Sequence, residues 1–192
     1  MEPEIVQQQQ KLKGILEKFK AARVMICSDY YKIIGQTYYS GQQRFIDMLN
    51  KDLILGEERI SNFIVVTEAV LINPEGGKEP VAGPVFVGKD SIAFIGAFDE
   101  TMSTTSKKVN SVNFYPWREK YPVTSKLILR GDHILTGQIF GNPQALPVHS
   151  VEAHSRFMPM VDVRILSSPE IQDMCFQFAA VNKDYLYLME LI

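Results

Sequence analysis

The chain has 192 residues, 46% of them hydrophobic, enough for one ordinary domain or two small ones around a buried core. Its 20 Lys and Arg against 22 Asp and Glu leave a net charge of −2, so no global field draws it to nucleic acid, an anionic membrane or an acidic substrate. Met1-Glu2-Pro3-Glu4 lacks the basic and apolar regions of a secretory signal and no apolar run is long enough to cross a bilayer, so the expected location is cytoplasmic, with no membrane partner.

The first predicted element is an N-terminal helix over residues 1–22. Pro3 fits a first turn, and Leu12, Ile15, Leu16 and Phe19 recur at helical spacing. Such a stripe docks the helix on a core, or pairs it with a second copy.

From residue 23 the pattern turns to β-branched and aromatic runs, and the chain begins to repeat itself. Val24 to Ser40 aligns without a gap on Lys126 to Asn142, placing Ile26 on Ile128 and Gly35-Gln36 on Gly137-Gln138. At a second, shorter offset Ser61-x-Phe63 meets Ser155-x-Phe157, Glu68 meets Asp162, and Val87-x-Lys89-Asp90 meets Val181-x-Lys183-Asp184. This predicts a module at 23–98, an aromatic connector at 99–123 and a second module at 124–192. Each module reads as strand, turn, strand, variable connection, strand, long turn, strand.

Several residues in this frame have structural readings. Gly35 and Gly137 mark a bulge or sharp bend, and the Lys-Asp pairs mark turns before the last strands. Phe63 and Phe157 are expected in the core. Arg44 to Asn50 reads as a short helix through Phe45, Ile46, Met48 and Leu49, where the second copy has Pro143 and Pro147 instead. The connector carries Phe114, Tyr115, Trp117 and Tyr121 beside Pro116 and Pro122, and is expected to pack across both modules. Cys27 and Cys175, the only cysteines, lie among apolar residues and read as reduced, buried thiols.

Two resemblances follow from these runs. Arg44-Phe45-Ile46-Asp47-Met48-Leu49-Asn50, then Phe63-Ile64-Val65-Val66-Thr67-Glu68-Ala69, and later Val181-Asn182-Lys183-Asp184 resemble a family of small bacterial proteins of unknown function. Leu127-Ile128-Leu129-Arg130-Gly131-Asp132-His133-Ile134 is similar to the second motif of Sm-like proteins, small five-stranded barrels that often bind RNA. Asp47-Met48-Leu49-Asn50 approximates their first motif, but far upstream. The expected fold is therefore mainly β with minor α: two tandem small barrel-like or strongly bent antiparallel sheet modules of Sm- or SH3-like kind, plus the N-terminal helix.

The candidate sites divide by chemistry. Tyr31, Lys32, Arg44 and Arg130 combine rings and cations as a single-stranded nucleic acid requires. His149, Glu152 and His154 form the tightest cluster of metal-ligand types, which a loop could gather around zinc, although histidines five apart share neither a helix face nor a strand face. No Gly-x-Ser-x-Gly elbow or phosphate loop occurs, and Gly76-Gly77-Lys78 reads as a surface turn. No catalytic residue or cofactor is assigned. The leading expectation is a non-enzymatic binding or scaffold protein that meets a protein partner or itself; an RNA-binding protein comes second, and a metal protein or enzyme using the second-copy histidines third.

Overall fold

The computed structural model describes residues 11–40, 44–51, 53–55, 58–60, 62–98, 121–141, 156–167 and 174–192. Residues 11–16 form helix α1, and a turn leads into β1 (Lys20–Cys27). The expected helix thus stops short of Ala22, because Lys20 to Cys27 is taken up in a ladder with β2 (Lys32–Tyr39). The apolar stripe is as expected: Leu16 is buried, and Leu12, Ile15 and Phe19 pack beside it. Helix α2 (Phe45–Asn50) buries Phe45, Ile46, Met48 and Leu49. The hairpin of β3 (Leu53–Leu55) and β4 (Glu58–Ile60) stands apart as its own small sheet.

The main sheet continues with β5 (Phe63–Ile72), β6 (Lys78–Pro80), β7 (Val85–Gly88) and β8 (Phe94–Ala97). It then takes β9 (Tyr121–Leu129), β10 (His133–Gly141), β11 (Phe157–Ile165), β12 (Cys175–Asn182) and β13 (Leu186–Leu191). Tyr121 and Pro122, read as connector, belong to β9; residues 99–120, with Phe114, Tyr115 and Trp117, lie outside the described residues.

The protein is mainly β, but its sheet is neither divided in two nor closed into barrels. Eleven strands join in the order β13-β9-β10-β11-β12-β8-β1-β2-β5-β6, with β7 also on β5. The junction between the halves is β12 on β8, where Phe178 faces Ala97 and Val181 faces Phe94.

On either side of that junction the same pairings recur. β1 pairs β2, β2 pairs β5, β5 pairs β7, and β8 returns to β1. In the same way β9 pairs β10, β10 pairs β11, β11 pairs β12, and β13 returns to β9. Gln36 faces Thr67 as Gln138 faces Val161, and Phe63 faces Gly88 as Phe157 faces Asn182. Both ladders shift register at a glycine, Gly35 and Gly137, and the strand opposite places Glu68 (φ 51°) or Asp162 (φ 52°) in the left-handed region. A 3-10 turn, Lys89–Ser91 or Lys183–Tyr185, precedes each last strand. The gapless alignment of the first hairpins does not match this register. Residues 28–31 link β1 to β2 but the shorter 130–132 link β9 to β10, so Ile26 is level with Leu127 rather than Ile128.

Alternation explains which strands lie where. In β2 every second residue is buried, as one covered face requires, whereas all four residues of β8 and the last four of β1 are buried. These junction strands feed two cores. Val24, Ile26, Ile95 and Ala97 point into one, with Phe157, Phe178 and Ala180 of the second half; Met25, Cys27, Ala93 and Phe94 point into the other, among Leu127, Met160 and Phe176.

Two polar side chains, Asn50 and Asn182, tie the halves together, and a third, Lys89, braces the first half. The Asn50 amide accepts from the backbone N–H of Phe157 (2.8 Å) and donates to its carbonyl (2.8 Å), which docks α2 on β11. Asn182, fully buried, donates to the Ile92 carbonyl at 2.8 Å and accepts from the Asp184 N–H at 3.0 Å. The buried Lys89 ammonium donates to the carbonyls of Met48 (3.3 Å) and Lys51 (2.6 Å), where a helix C-terminus presents unpaired acceptors.

Two core expectations need correction. Phe157 is 0% exposed but Phe63 is 48% exposed, because α2 covers the first and no described element covers the second. Cys27 is buried, whereas Cys175 is exposed at the start of β12, where the strand leaves the cover of the cores. Burial pushes the Cys27 thiol up to about 12, with Lys32 opposing. Native protein should therefore titrate one thiol per chain with an aromatic disulfide reagent at pH 8, and two after denaturation. Rapid native reaction of both would place Cys27 outside the core.

Candidate functional site

The first hairpin turns of the two halves meet over the junction and enclose a cleft of about 110 Å³. Ser28 to Lys32, Gly131 to His133, Ile72 to Pro74 and Ser167 line it. The β1–β2 turn is held by Ser28, whose Oγ accepts from the Tyr31 N–H (3.0 Å) and donates to the Tyr31 carbonyl (2.9 Å). The β9–β10 turn uses Gly131 at φ 78° and Asp132 at φ 57°. A Cβ on Gly131 would sit 3.1 Å from Asp29 Oδ1 and 3.2 Å from Asp29 Cα, so glycine is what lets the turns approach.

His133 locks the turns together. Its Nε2 lies 3.0 Å from the Ser28 carbonyl, and a carbonyl only accepts, so Nε2 carries the proton. The ring stands edge-on to Phe94 at 5.5 Å. Burial holds its pKa below the ordinary 6.5; the Ser28 carbonyl opposes this, Lys32 adds to it, and Asp29 and Asp132 oppose it more weakly. As pH falls below about 6.5 the unfolded chain binds this proton before the folded one does. The stability contributed by the neutral ring is complete above that pH and is lost toward the depressed folded value. Urea midpoints should therefore fall more steeply between pH 7 and 5 in the wild type than in His133→Gln; equal slopes would mean that the ring is solvated.

The cleft also holds Asp29 Oδ1, which is buried with no hydrogen-bond partner among the described residues. Tyr30 and Tyr31 are 74% and 54% exposed at its mouth. A donor group brought by a ligand or partner would find an open acceptor here, with two ring faces beside it. In the cleft the Ser28 hydroxyl is engaged with Tyr31, Ser167 Oγ accepts from the Ile134 N–H at 2.8 Å, and His133 Nε2 is held by a carbonyl, so among the described residues neither serine of the cleft is paired with a base.

Of the nucleic-acid candidates, the fold brings Tyr31 and Lys32 into the cleft and Arg130 to its edge, next to Gly131. The Arg130 guanidinium lies over the Tyr185 ring at 4.9 Å and donates to the Asp184 carbonyl at 3.4 Å. Arg44 does not line the cleft; it forms a two-point ion pair with Asp47 at 2.7 and 2.6 Å, which holds the Asp47 carboxyl below its usual range. His149, Glu152 and His154 lie outside the described residues, among which no three His, Cys, Asp or Glu side chains are placed to hold a metal ion. The described residues also contain no helix long and apolar enough to cross a membrane. Asp29 and His133 lie at turns of different halves, so no spacing in the sequence pairs them, and the Gly131-Asp132 turn is the local cue.

Comparisons with protein-family models, with curated proteins and with solved structures return no match to this chain.

Proposed function

We propose that this protein is a non-enzymatic binding scaffold in which two copies of one small β module are fused and share a sheet. The recurrence of register, glycine bulge and 3-10 turn across the halves carries this reading. It also favours kinship with small barrels. Within each half the strand order runs fifth, first, second, third, fourth, the order of a five-stranded barrel before its outer strands meet. Here the fourth strand of the second half, β12, meets the fifth strand of the first, β8, in place of its own β13. A scaffold needs rigid, repeated edges more than a reactive group, and the cleft over the junction offers such a partner an acceptor at Asp29. A cytoplasmic setting suits two cysteines that form no disulfide.

Single-stranded RNA binding is the second reading, favoured by Tyr30 and Tyr31 standing exposed beside Lys32. Titrating a labelled single-stranded RNA and following its anisotropy at two salt concentrations separates the two. The scaffold reading expects no saturable binding at micromolar protein. Binding that weakens with salt and is lost in Tyr31→Ala and Lys32→Ala would overturn it in favour of RNA.

A further inference from the structure

Two edge strands of the shared sheet, β7 and β13, are counterparts of the junction strands. Among the described residues no strand pairs the outer edge of β7 or of β13. By register β7 corresponds to β12, and β13 to β8, the two strands that meet inside the molecule. We propose that β13 of one copy pairs antiparallel with β7 of a second copy, repeating between molecules the β12–β8 junction within each, so that chains assemble head to tail.

The internal junction dictates the register. Phe94 faces Val181, Ile95 faces Ala180, Gly96 faces Ala179 and Ala97 faces Phe178. The corresponding pairs between molecules are Leu188 with Val87, Met189 with Phe86, Glu190 with Val85, and Leu191 with Pro84. Burial differs between equivalent positions as this requires. At the internal junction Ala93, Phe94 and Ala180 are 0% exposed and Ala97 is 1% exposed. At the open edges their counterparts Tyr187, Leu188, Phe86 and Leu191 are 72%, 48%, 51% and 48% exposed. Phe63 belongs with them: its counterpart Phe157 is covered across the junction, by α2 of the other half.

Solitary edge strands are normally blunted by charge, proline or a bulge. β7 (Val85–Gly88) has no charged residue, and β13 has only Glu190. The contact joins two different surfaces, so it closes into a ring if the rotation per copy allows and otherwise continues as a filament. Two like edges meeting would instead stop at a dimer.

The inference rests on the duplicated-module reading, and the test separates them. Native mass spectrometry and light scattering of the full chain at micromolar concentration should give multiples of 21.8 kDa. Phe86→Lys blocks one edge and Leu188→Lys the other; both side chains are exposed within the chain, so circular dichroism should match the wild type. Each variant alone should be a monomer, and an equal mixture should give a one-to-one dimer that grows no further, because its free edges are both blocked. A monomeric wild type, a variant that self-associates alone, or a mixture that stays monomeric overturns the proposal. Native-state hydrogen exchange then locates the failure: one shared opening of β8 and β12 leaves the fused-module reading intact, whereas independent openings remove that as well.

Discussion

Phe157→Ala should lower the unfolding free energy by about 3–5 kcal/mol, while Phe63→Ala should change it by less than about 1 kcal/mol when both are measured by urea denaturation of edge-blocked Leu188→Lys protein. The two phenylalanines open the same strand of the two halves and face equivalent partners, Asn182 and Gly88. Their local sequence pattern is alike, but their surroundings differ. Phe157 is enclosed with Phe45, Met48, Leu49 and Phe178, so truncation leaves a cavity walled by side chains that other contacts hold in place. Phe63 loses only contacts it already shares with solvent. In unblocked protein the order changes: Phe63→Ala should weaken assembly, read as a shift toward the monomer mass, because a second copy would supply there the cover that α2 gives Phe157. Equal costs at both positions in the edge-blocked background would mean that Phe63 is enclosed within its own chain.

The residues that could be read from sequence are those whose role is local. Gly35 and Gly137 announce a bulge because a glycine inside a β-patterned run marks a close approach of the next strand, here that of Thr67 and Val161. Phe45, Ile46, Met48 and Leu49 announced α2 by spacing, and the Lys-Asp pairs announced turns by composition. What could not be read depends on partners distant in the chain. The β12–β8 junction is made by backbone groups that every residue carries and by Gly96, Ala179 and Ala180, small residues that leave no motif. Asn50 read as a helix end, and only the fold turns its amide onto the backbone of Phe157. Arg130 reads from sequence as a cation for nucleic acid, yet its guanidinium lies over the Tyr185 ring. The cleft was illegible for the same reason, since Asp29 and His133 meet only after the two halves have joined.

Gly35→Ala and Gly137→Ala should each destabilise the protein by about 1–3 kcal/mol, against the usual tendency of glycine replacement to stabilise by restricting the unfolded chain. A Cβ on Gly137 would lie 2.7 Å from the Val161 carbonyl oxygen and 3.2 Å from that of Asp162. On Gly35 it would meet the Thr67 carbonyl at 2.8 Å and Val66 Cγ1 at 2.5 Å. Carbonyls in a ladder cannot retreat without breaking the pairing that fixes Gln36 opposite Thr67 and Gln138 opposite Val161. A second substitution distinguishes backbone from side-chain crowding. Val66→Ala removes one obstacle at Gly35 but leaves the carbonyl, so the double variant should not recover more stability than the lost packing of Val66 leaves room for. Met160→Ala should give no rescue at Gly137, where only the flexible Met160 Cε, at 3.1 Å, is relieved. The relevant measurement is the denaturant midpoint at unchanged slope, since a changed slope would report an altered denatured state. Because the two glycines occupy equivalent places, the two single costs should be similar and the double variant Gly35→Ala/Gly137→Ala close to additive, as expected for sites in separate ladders. A neutral or stabilising effect at either position would remove the bulge there, and with it the register on which the equivalence of β7 with β12 and of β13 with β8 depends.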